Sequence, residues 1–180
     1  MGRRLCAVVV FAAGWTASAA TLERLSLEEM AVRSTAVVRA RAMSSASLFL
    51  GPMIYTRTRF QVLEQWKGAD QPWVEVTLPG GMVGQVTESY AGVPRFVPGQ
   101  ELVLFLWTGP SGRTQIIGLT QGLFEVERSA SGEALAVRRP SGELVLDPAT
   151  RTSAREEGIA MPLGSLAIRV RAAMGQNAPR

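Results

Sequence analysis

The clearest hydrophobic pattern in the chain is a short continuous run near its middle. A Pro98-Gly99 turn precedes six apolar residues, Leu102 to Trp107. A run of this length bounded by turn residues is typical of a β-strand covered on both faces, and it is too short for a buried helix. We therefore predict a central strand whose even-numbered residues face the interior and whose odd-numbered residues pack against elements outside the sheet.

Alternating apolar and polar residues predict further strands before that run. The first covers Ala36 to Met43, and a loop from Ser44 to Pro52 follows it. Ile54 to Trp66 and Trp73 to Leu78 then flank a polar turn. Two patterned segments joined in this way predict an antiparallel hairpin.

Short apolar segments separated by turn residues also follow the central strand. They are Gln115 to Leu119, Leu123 to Glu127, Ala134 to Val137 and Leu144 to Leu146. Short strands at intervals of about ten residues are typical of an all-β protein. The polar segment from Asp147 to Gly158 is expected to be a surface loop.

Two segments predict helices. Leu25 to Ala31 contains Ser26 and Glu29 at the spacing of a capping box, followed by apolar residues on one helical face. Pro162 to Met174 fits either a strand, from alternation, or a helix, from an apolar face at helical spacing. Its length and alanine content favour the helix.

The N-terminus has the features of a secretion signal. Arg3 and Arg4 precede a short apolar segment, and small residues then form an Ala-x-Ala cleavage pattern. The apolar segment is too short to span a bilayer, which takes about 20 residues. We predict an exported protein, periplasmic or extracellular, cleaved after Ala19 or Ala20 and without a stable membrane span. An uncleaved N-terminal anchor is the alternative.

These patterns give the domain organisation. We predict a signal peptide at 1–19, a single β-barrel-like domain at 20–175 and a disordered tail at 176–180. A mature chain of about 160 residues is long enough to bury one substantial core.

The composition excludes several kinds of chemistry. The chain has no histidine, and its single cysteine, Cys6, lies in the predicted leader. Disulfides, zinc-thiolate sites and imidazole catalysis are therefore unavailable to the mature chain, so we predict no metal, no cofactor and no enzyme of the usual nucleophile-base type. The 19 basic residues lose Arg3 and Arg4 with the leader, which leaves a small excess over 15 acidic residues. Nucleic acid is therefore not an expected partner.

The most motif-like segment is Pro79-Gly80-Gly81-Met82-Val83-Gly84. Glycine-rich loops bind phosphates when they join a strand to a helix N-terminus. Here Gly92 and Pro94 follow closely, so no helix begins, and no lysine follows the glycines. We predict a tight connection or a bulge.

The order of elements resembles a known family. A strand beginning at Val37-Val38 precedes a long strand from Tyr55 to Val62, a Trp66-Lys67-Gly68 turn, and Pro98-Gly99-Gln100-Glu101 before a strong apolar strand. This order is similar to the netrin-module class, which includes the tissue metalloproteinase inhibitors, over roughly Leu25 to Glu127. It is also similar to exported bacterial proteins of the same layout. The resemblance implies a small OB-like antiparallel barrel with the two helices packed on the outside.

One departure from that family bears on function. The inhibitors chelate a protease zinc through an N-terminal cysteine that disulfides surround, whereas the predicted mature chain contains no cysteine. The resemblance therefore implies the fold and not the inhibitory mechanism.

Without that chemistry, we expect a non-enzymatic binding or interaction module of the bacterial cell envelope. Open strand faces of OB-like barrels often bind extended polymers. The candidate ligand-binding residues combine aromatic rings with arginines: Tyr55, Arg57, Arg59, Trp66 and Trp73. The expected partner is an envelope protein or a polysaccharide.

Two alternatives remain open. Glu64, Glu75 and Glu101 lie near strand ends, and two carboxylates suffice for glycoside hydrolysis, so a hydrolase acting on an extracellular polymer is one. A structural component of envelope assembly is the other, with an exposed apolar Leu48 to Leu50 loop as its contact surface.

Overall fold

The computed structural model describes residues 22–140, 144–146, 150, 152–155 and 158–176. The predicted signal peptide and the residues after Gln176 lie outside the described residues. The strands are β1 (Leu22–Glu23), β2 (Ala36–Leu50), β3 (Met53–Lys67), β4 (Trp73–Pro79), β5 (Gly81–Val83), β6 (Val86–Glu88), β7 (Glu101–Thr108), β8 (Thr114–Ile116), β9 (Leu123–Arg128), β10 (Ala134–Arg138), β11 (Leu144–Leu146), β12 (Ser153–Arg155) and β13 (Ile159–Pro162). The helices are α1 (Leu27–Arg33) and α2 (Leu163–Gln176), with a 3-10 helix at Leu119–Gly122.

The main sheet is antiparallel and is built around β7. Its strand order is β13-β10-β9-β7-β2-β3-β4. One edge of β7 pairs with β2, while the other edge is shared by β9 at Leu102–Leu104 and β8 at Leu106–Thr108. Five consecutive residues of β7 are buried. The predicted central strand is confirmed.

The outer face of the sheet is covered by the two helices. Ser26 and Glu29 form the predicted capping box at the start of α1. The residue 163–176 segment is the helix that its length favoured, and its buried positions recur at helical spacing. The outer core contains Leu25, Leu27, Met30, Ala31, Val37, Trp66, Val103, Phe105, Phe124, Ala136, Leu163, Leu166, Ala167, Val170 and Ala173.

The inner face holds a second core. Its buried members are Val38, Ala40, Ala42, Phe60, Val76, Leu78, Leu102, Leu104, Leu106 and Ile116. The two faces of β7 therefore enter two different cores, as its even and odd residues predict. One odd residue, Trp107, is instead 42% exposed because it lies at the end of β7, beyond the helices.

The expected mainly β fold with two outer helices is confirmed. The sheet curls enough for β4 to contact β8, but the described strands do not close into a barrel, because β4 and β8 are not hydrogen-bonded neighbours. The curled sheet still has an inner and an outer face, and each face holds its own core.

Two segments predicted to be loops contain strands. Ser44 to Leu50 continues β2 and pairs with β3 as far as Leu50 opposite Met53, so the hairpin has 15 residues in each strand. Serine-rich composition suggested a loop, whereas the long, strongly patterned β3 provides a template for pairing. Ser153 to Arg155, expected to be irregular, form β12 against β11.

Candidate functional site

The five sequence-predicted binding residues do not share one surface. Trp66 is only 6% exposed and lies in the outer core beneath the helices, so it cannot stack on a ligand. Pairing of β2 with β3 shifts register three times, and two of these bulges lie between Val37 and Ala40. Each bulge adds a residue and changes which face the next side chains occupy, so alternation counted from Phe60 misplaces Trp66.

The other four residues lie along the β3–β4 ladder. Trp73 is 37% exposed, and the Arg59 guanidinium lies 4.5 Å from the centre of its ring. Arg57 pairs with Glu75 at 3.6 Å. Tyr55 lies 5.7 Å from the guanidinium of Arg113, which comes from the β7–β8 turn. We name Tyr55, Arg57, Arg59 and Trp73 the outer stripe; each of its members already contacts another side chain.

The Trp66-Lys67-Gly68 turn has a structural task. Lys67 Nζ donates to the carbonyls of Ala31 and Val32 at 2.8 Å each, which caps the C-terminal end of α1. Gly68 has φ of 91°, and a Cβ there would lie 2.9 Å from the Thr35 carbonyl oxygen. Burial lowers the pKa of Lys67. This motif joins α1 to the hairpin.

The three carboxylates considered for hydrolysis are held by arginines. Arg39 bonds Glu64 at 2.5 Å and Glu101 at 2.9 Å, and Glu75 pairs with Arg57 instead. The Trp66 indole N–H and Arg39 lower the pKa of Glu64, and Arg41 and Arg39 lower that of Glu101. A glycosidase needs one carboxyl with a raised pKa as its acid. Two carboxylates that both stay ionised do not provide that acid.

A concave groove lies at the far end of the inner face. It has a volume of about 380 Å³ and lies beyond Arg41, where the pairing of β7 with β2 ends. This volume lies in the range of small-molecule sites. The lining residues are Ser45, Thr56, Thr58, Leu78, Pro79, Gly80, Gly81, Met82, Thr87, Glu88, Ser89, Tyr90, Val93, Pro94, Arg95 and Phe96.

The apolar inner core gives way to hydroxyl groups at this groove. Thr58 lies two residues before Phe60 on the same face of β3, and a bulge at Met43 turns Ser45 toward Thr58. Their hydroxyl oxygens lie 2.8 Å apart. Two hydroxyls carry two O–H donors, and one bond uses one of them. Among the described contacts, one O–H of this pair remains to bind a ligand or water.

A second hydroxyl pair holds the cover of the groove in place. Ser47 and Thr56 lie 3.0 Å apart, Thr56 donates to the Gly80 carbonyl at 2.7 Å, and Met82 N–H donates to Ser47. These bonds attach the β5–β6 hairpin to β2 and β3. The predicted tight connection is thus a hairpin. Gly81 is required here, because a Cβ would lie 2.3 Å from Ser47 Oγ.

The mouth of the groove carries an aromatic ring and a carboxylate. Tyr90 is 42% exposed, and its hydroxyl donates to Glu88 Oε2 at 3.2 Å. The same oxygen accepts Ile54 N–H at 3.0 Å. Partial burial and the bond to Glu88 raise the pKa of Tyr90. The mouth therefore offers an aromatic face and a fixed acceptor.

The sequence did not predict the groove. Ser45 fell in a predicted loop, and Tyr90 lies in a segment between Gly84 and Pro94 without periodicity. The available signal was the change from apolar to hydroxyl residues on the inner face of β3, from Phe60 to Thr58 and Thr56. Such a change indicates that this face leaves the core.

Among the described residues, the helices lack the length and apolar character that a bilayer span requires. The acidic residues, histidines and cysteines of the same ranges do not form a group of three or more that could hold a metal ion.

Comparisons with known proteins leave the family open. No protein family model, curated protein or solved structure matches the chain. The resemblance to the netrin-module class therefore stays a prediction.

Proposed function

We propose that this protein is an exported, non-enzymatic binding module of the bacterial cell envelope, and that its groove binds a segment of envelope polysaccharide. The groove between the β2–β3 hairpin and the β5–β6 hairpin carries the proposal. Export is supported by the N-terminal sequence alone, from Arg3 to the Ala-x-Ala pattern.

The lining of the groove suits a neutral, hydroxylated ligand. Leu78, Val93 and Phe96 provide apolar surface, and the Ser45–Thr58 pair provides hydrogen-bonding groups between them. A sugar ring has both properties, since its C–H faces are apolar and its hydroxyls donate and accept. The exposed Tyr90 ring at the mouth gives such a face a flat surface to stack on.

Charge favours a neutral ligand over an acidic one. The charged residues that line the groove are one acid, Glu88, and one base, Arg95. Glu88 is held by Ile54 N–H and by Tyr90, so its carboxylate stays at the mouth. A strongly anionic polymer would meet a carboxylate there without a buried cation to offset it.

The test is binding of envelope oligosaccharides. An array of bacterial envelope oligosaccharides should give saturable binding, and the best array member then serves as the probe in isothermal titration calorimetry. The double variant Ser45→Ala, Thr58→Val removes the hydroxyl pair with little change in shape, and we expect about tenfold weaker binding. Tyr90→Ala should weaken binding by a similar factor.

The outer stripe provides the matched control. Trp73→Ala and Arg57→Ala alter the outer stripe, which the sequence predicted as the binding surface, and leave the groove intact. We expect both variants to bind like the wild type. If only these two weaken binding, the ligand occupies the stripe, and the groove assignment is wrong. No saturable binding on the array contradicts the polysaccharide proposal.

A hydrolase is less well supported. Glu64 and Glu101 are both bonded to Arg39, and neither has the raised pKa of a catalytic acid. An assembly role is supported by Phe49, which is 48% exposed near the tip of the β2–β3 hairpin.

A further inference from the structure

The far half of β2, Met43–Leu50, is an unpaired sheet edge. Pairing of β7 with β2 ends at Arg41 opposite Glu101, and the last bonds on that side join Ala42 to Gly99 and Gln100. From Met43 onward, only β3 pairs with β2 among the described residues. The other edge of this segment, about 27 Å long, presents backbone N–H and C=O groups that lack a strand partner there.

This edge lacks the usual protection against strand pairing. Exposed edges are normally guarded by charged side chains, proline or a bulge within the edge. Between Arg41 and Arg57 the chain has no charged residue, and the nearest bulge and proline lie at the two ends of the segment. Met43, Ser44, Ser45 and Ala46 are all exposed. A free strand can therefore approach.

The side chains of the edge are complementary to a second copy of themselves. Suppose that Ala46 of one copy lies opposite Ala46 of the other in an antiparallel pair. A residue that comes a given number of positions before Ala46 then faces the residue that comes the same number of positions after Ala46 in the second copy. Met43, 42% exposed, would then face Phe49 of the second copy, which is 48% exposed. The small residues between them allow close approach, and no like charges meet.

We infer that two copies of this chain associate through antiparallel pairing of Met43–Leu50, which extends the sheet across the dimer. The inference is independent of the proposed ligand. The two-fold axis of such a pair is perpendicular to the sheet and keeps the same face up in both copies, so both grooves open on one side. Such a dimer presents two sites to a repeating polymer.

Cysteine cross-linking tests the pairing directly. In a Cys6→Ser background, single cysteines are placed at Ser44, Ala46 and Ser47, and at Ile168, which is 66% exposed on α2. Directly opposite residues have Cα atoms about 4.5–5.5 Å apart, within disulfide range. We expect disulfide-linked dimer to be most abundant at Ala46→Cys and to be low at Ile168→Cys. Equal yields at the two sites would overturn the inference.

Sedimentation of the full chain provides the second test. The wild type should show a reversible monomer–dimer equilibrium. Ala46→Lys places two like charges opposite each other and should weaken association about fivefold or more, whereas Ile168→Lys on α2 should not. Circular dichroism of Ala46→Lys should match the wild type, since Ala46 is exposed. A wild type that stays monomeric at every concentration refutes the dimer, even if an unrelated extended peptide binds this edge.

Discussion

Gln121 offers the sharpest test of how the N-terminal segment is attached to the domain. Its side chain is 2% exposed and holds an extended stretch of backbone from both sides: Oε1 accepts Leu25 N–H at 2.8 Å, and Nε2 donates to the Glu23 carbonyl at 2.9 Å. Leu25 itself is buried in the outer core. We therefore expect one amide side chain to control the docking of the segment before α1.

Gln121→Leu keeps much of the volume and removes both bonds. Each ordinary hydrogen bond contributes about 0.5–1.5 kcal/mol, and a buried N–H left without a partner costs about 1–3 kcal/mol. Leu25 N–H becomes such a group, while the added apolar surface offsets part of the loss. We expect the free energy of unfolding to fall by about 2–4 kcal/mol.

Urea unfolding followed by circular dichroism measures the change. The control is Gln115→Leu on β8, a half-buried glutamine whose side chain makes no described hydrogen bond, and its effect should stay within about 0.5 kcal/mol. If Gln121→Leu destabilises no more than Gln115→Leu, the side chain does not hold the segment and the reasoning fails.

Three further predictions use the same urea assay. Lys67→Met removes the cap of α1 and should cost about 1–2 kcal/mol, because the Ala31 and Val32 carbonyls lose a partly exposed charged donor. An unchanged midpoint would contradict that role. Phe105→Ala should lower the free energy of unfolding by about 3–5 kcal/mol and Trp107→Ala by much less, because Phe105 is fully buried and Trp107 is 42% exposed. Equal losses would contradict the description of two cores. The hydrogen bond from Arg41 helps to lower the pKa of Glu101 below 4.5, so the free energy of unfolding should be level above about pH 5 and decline as the pH falls further. Arg41→Met should make that decline shallower. A wild type that gains stability in acid would refute the assignment.

The sequence predicted correctly the elements that depend on neighbouring residues alone, such as the central strand and the start of α1. Six apolar residues in a row have few alternatives to a buried strand, and Ser26 with Glu29 specifies a helix start through bonds that both residues make locally. The inner and outer faces of β7 followed from strand alternation alone.

The errors come from interactions between distant residues. Bulges between β2 and β3 depend on how two strands match, and they decide that Trp66 enters the outer core. Neither strand alone shows where they lie. Ser44 to Leu50 became a strand because β3 pairs with it, despite a composition typical of a loop.

The candidate site was hidden for the same reason. The groove needs Ser45, Thr58 and Tyr90, which three separate segments of chain contribute. The outer stripe could be predicted from the sequence because Tyr55, Arg57 and Arg59 occupy every second position of one strand and so lie on one face. In the structure each side chain of the stripe contacts another side chain, whereas the groove keeps an uncommitted hydroxyl among the described contacts.

The most direct test of the central claim is chemical-shift mapping by NMR. An ¹⁵N-labelled chain is titrated with the oligosaccharide that binds best on the array. The groove predicts saturable shifts for the amides of Ser45, Thr58, Gly80 to Met82 and Tyr90, with those of Arg57 and Trp73 changed little. Shifts concentrated at Arg57, Arg59 and Trp73, or no saturable shifts at all, would contradict the account.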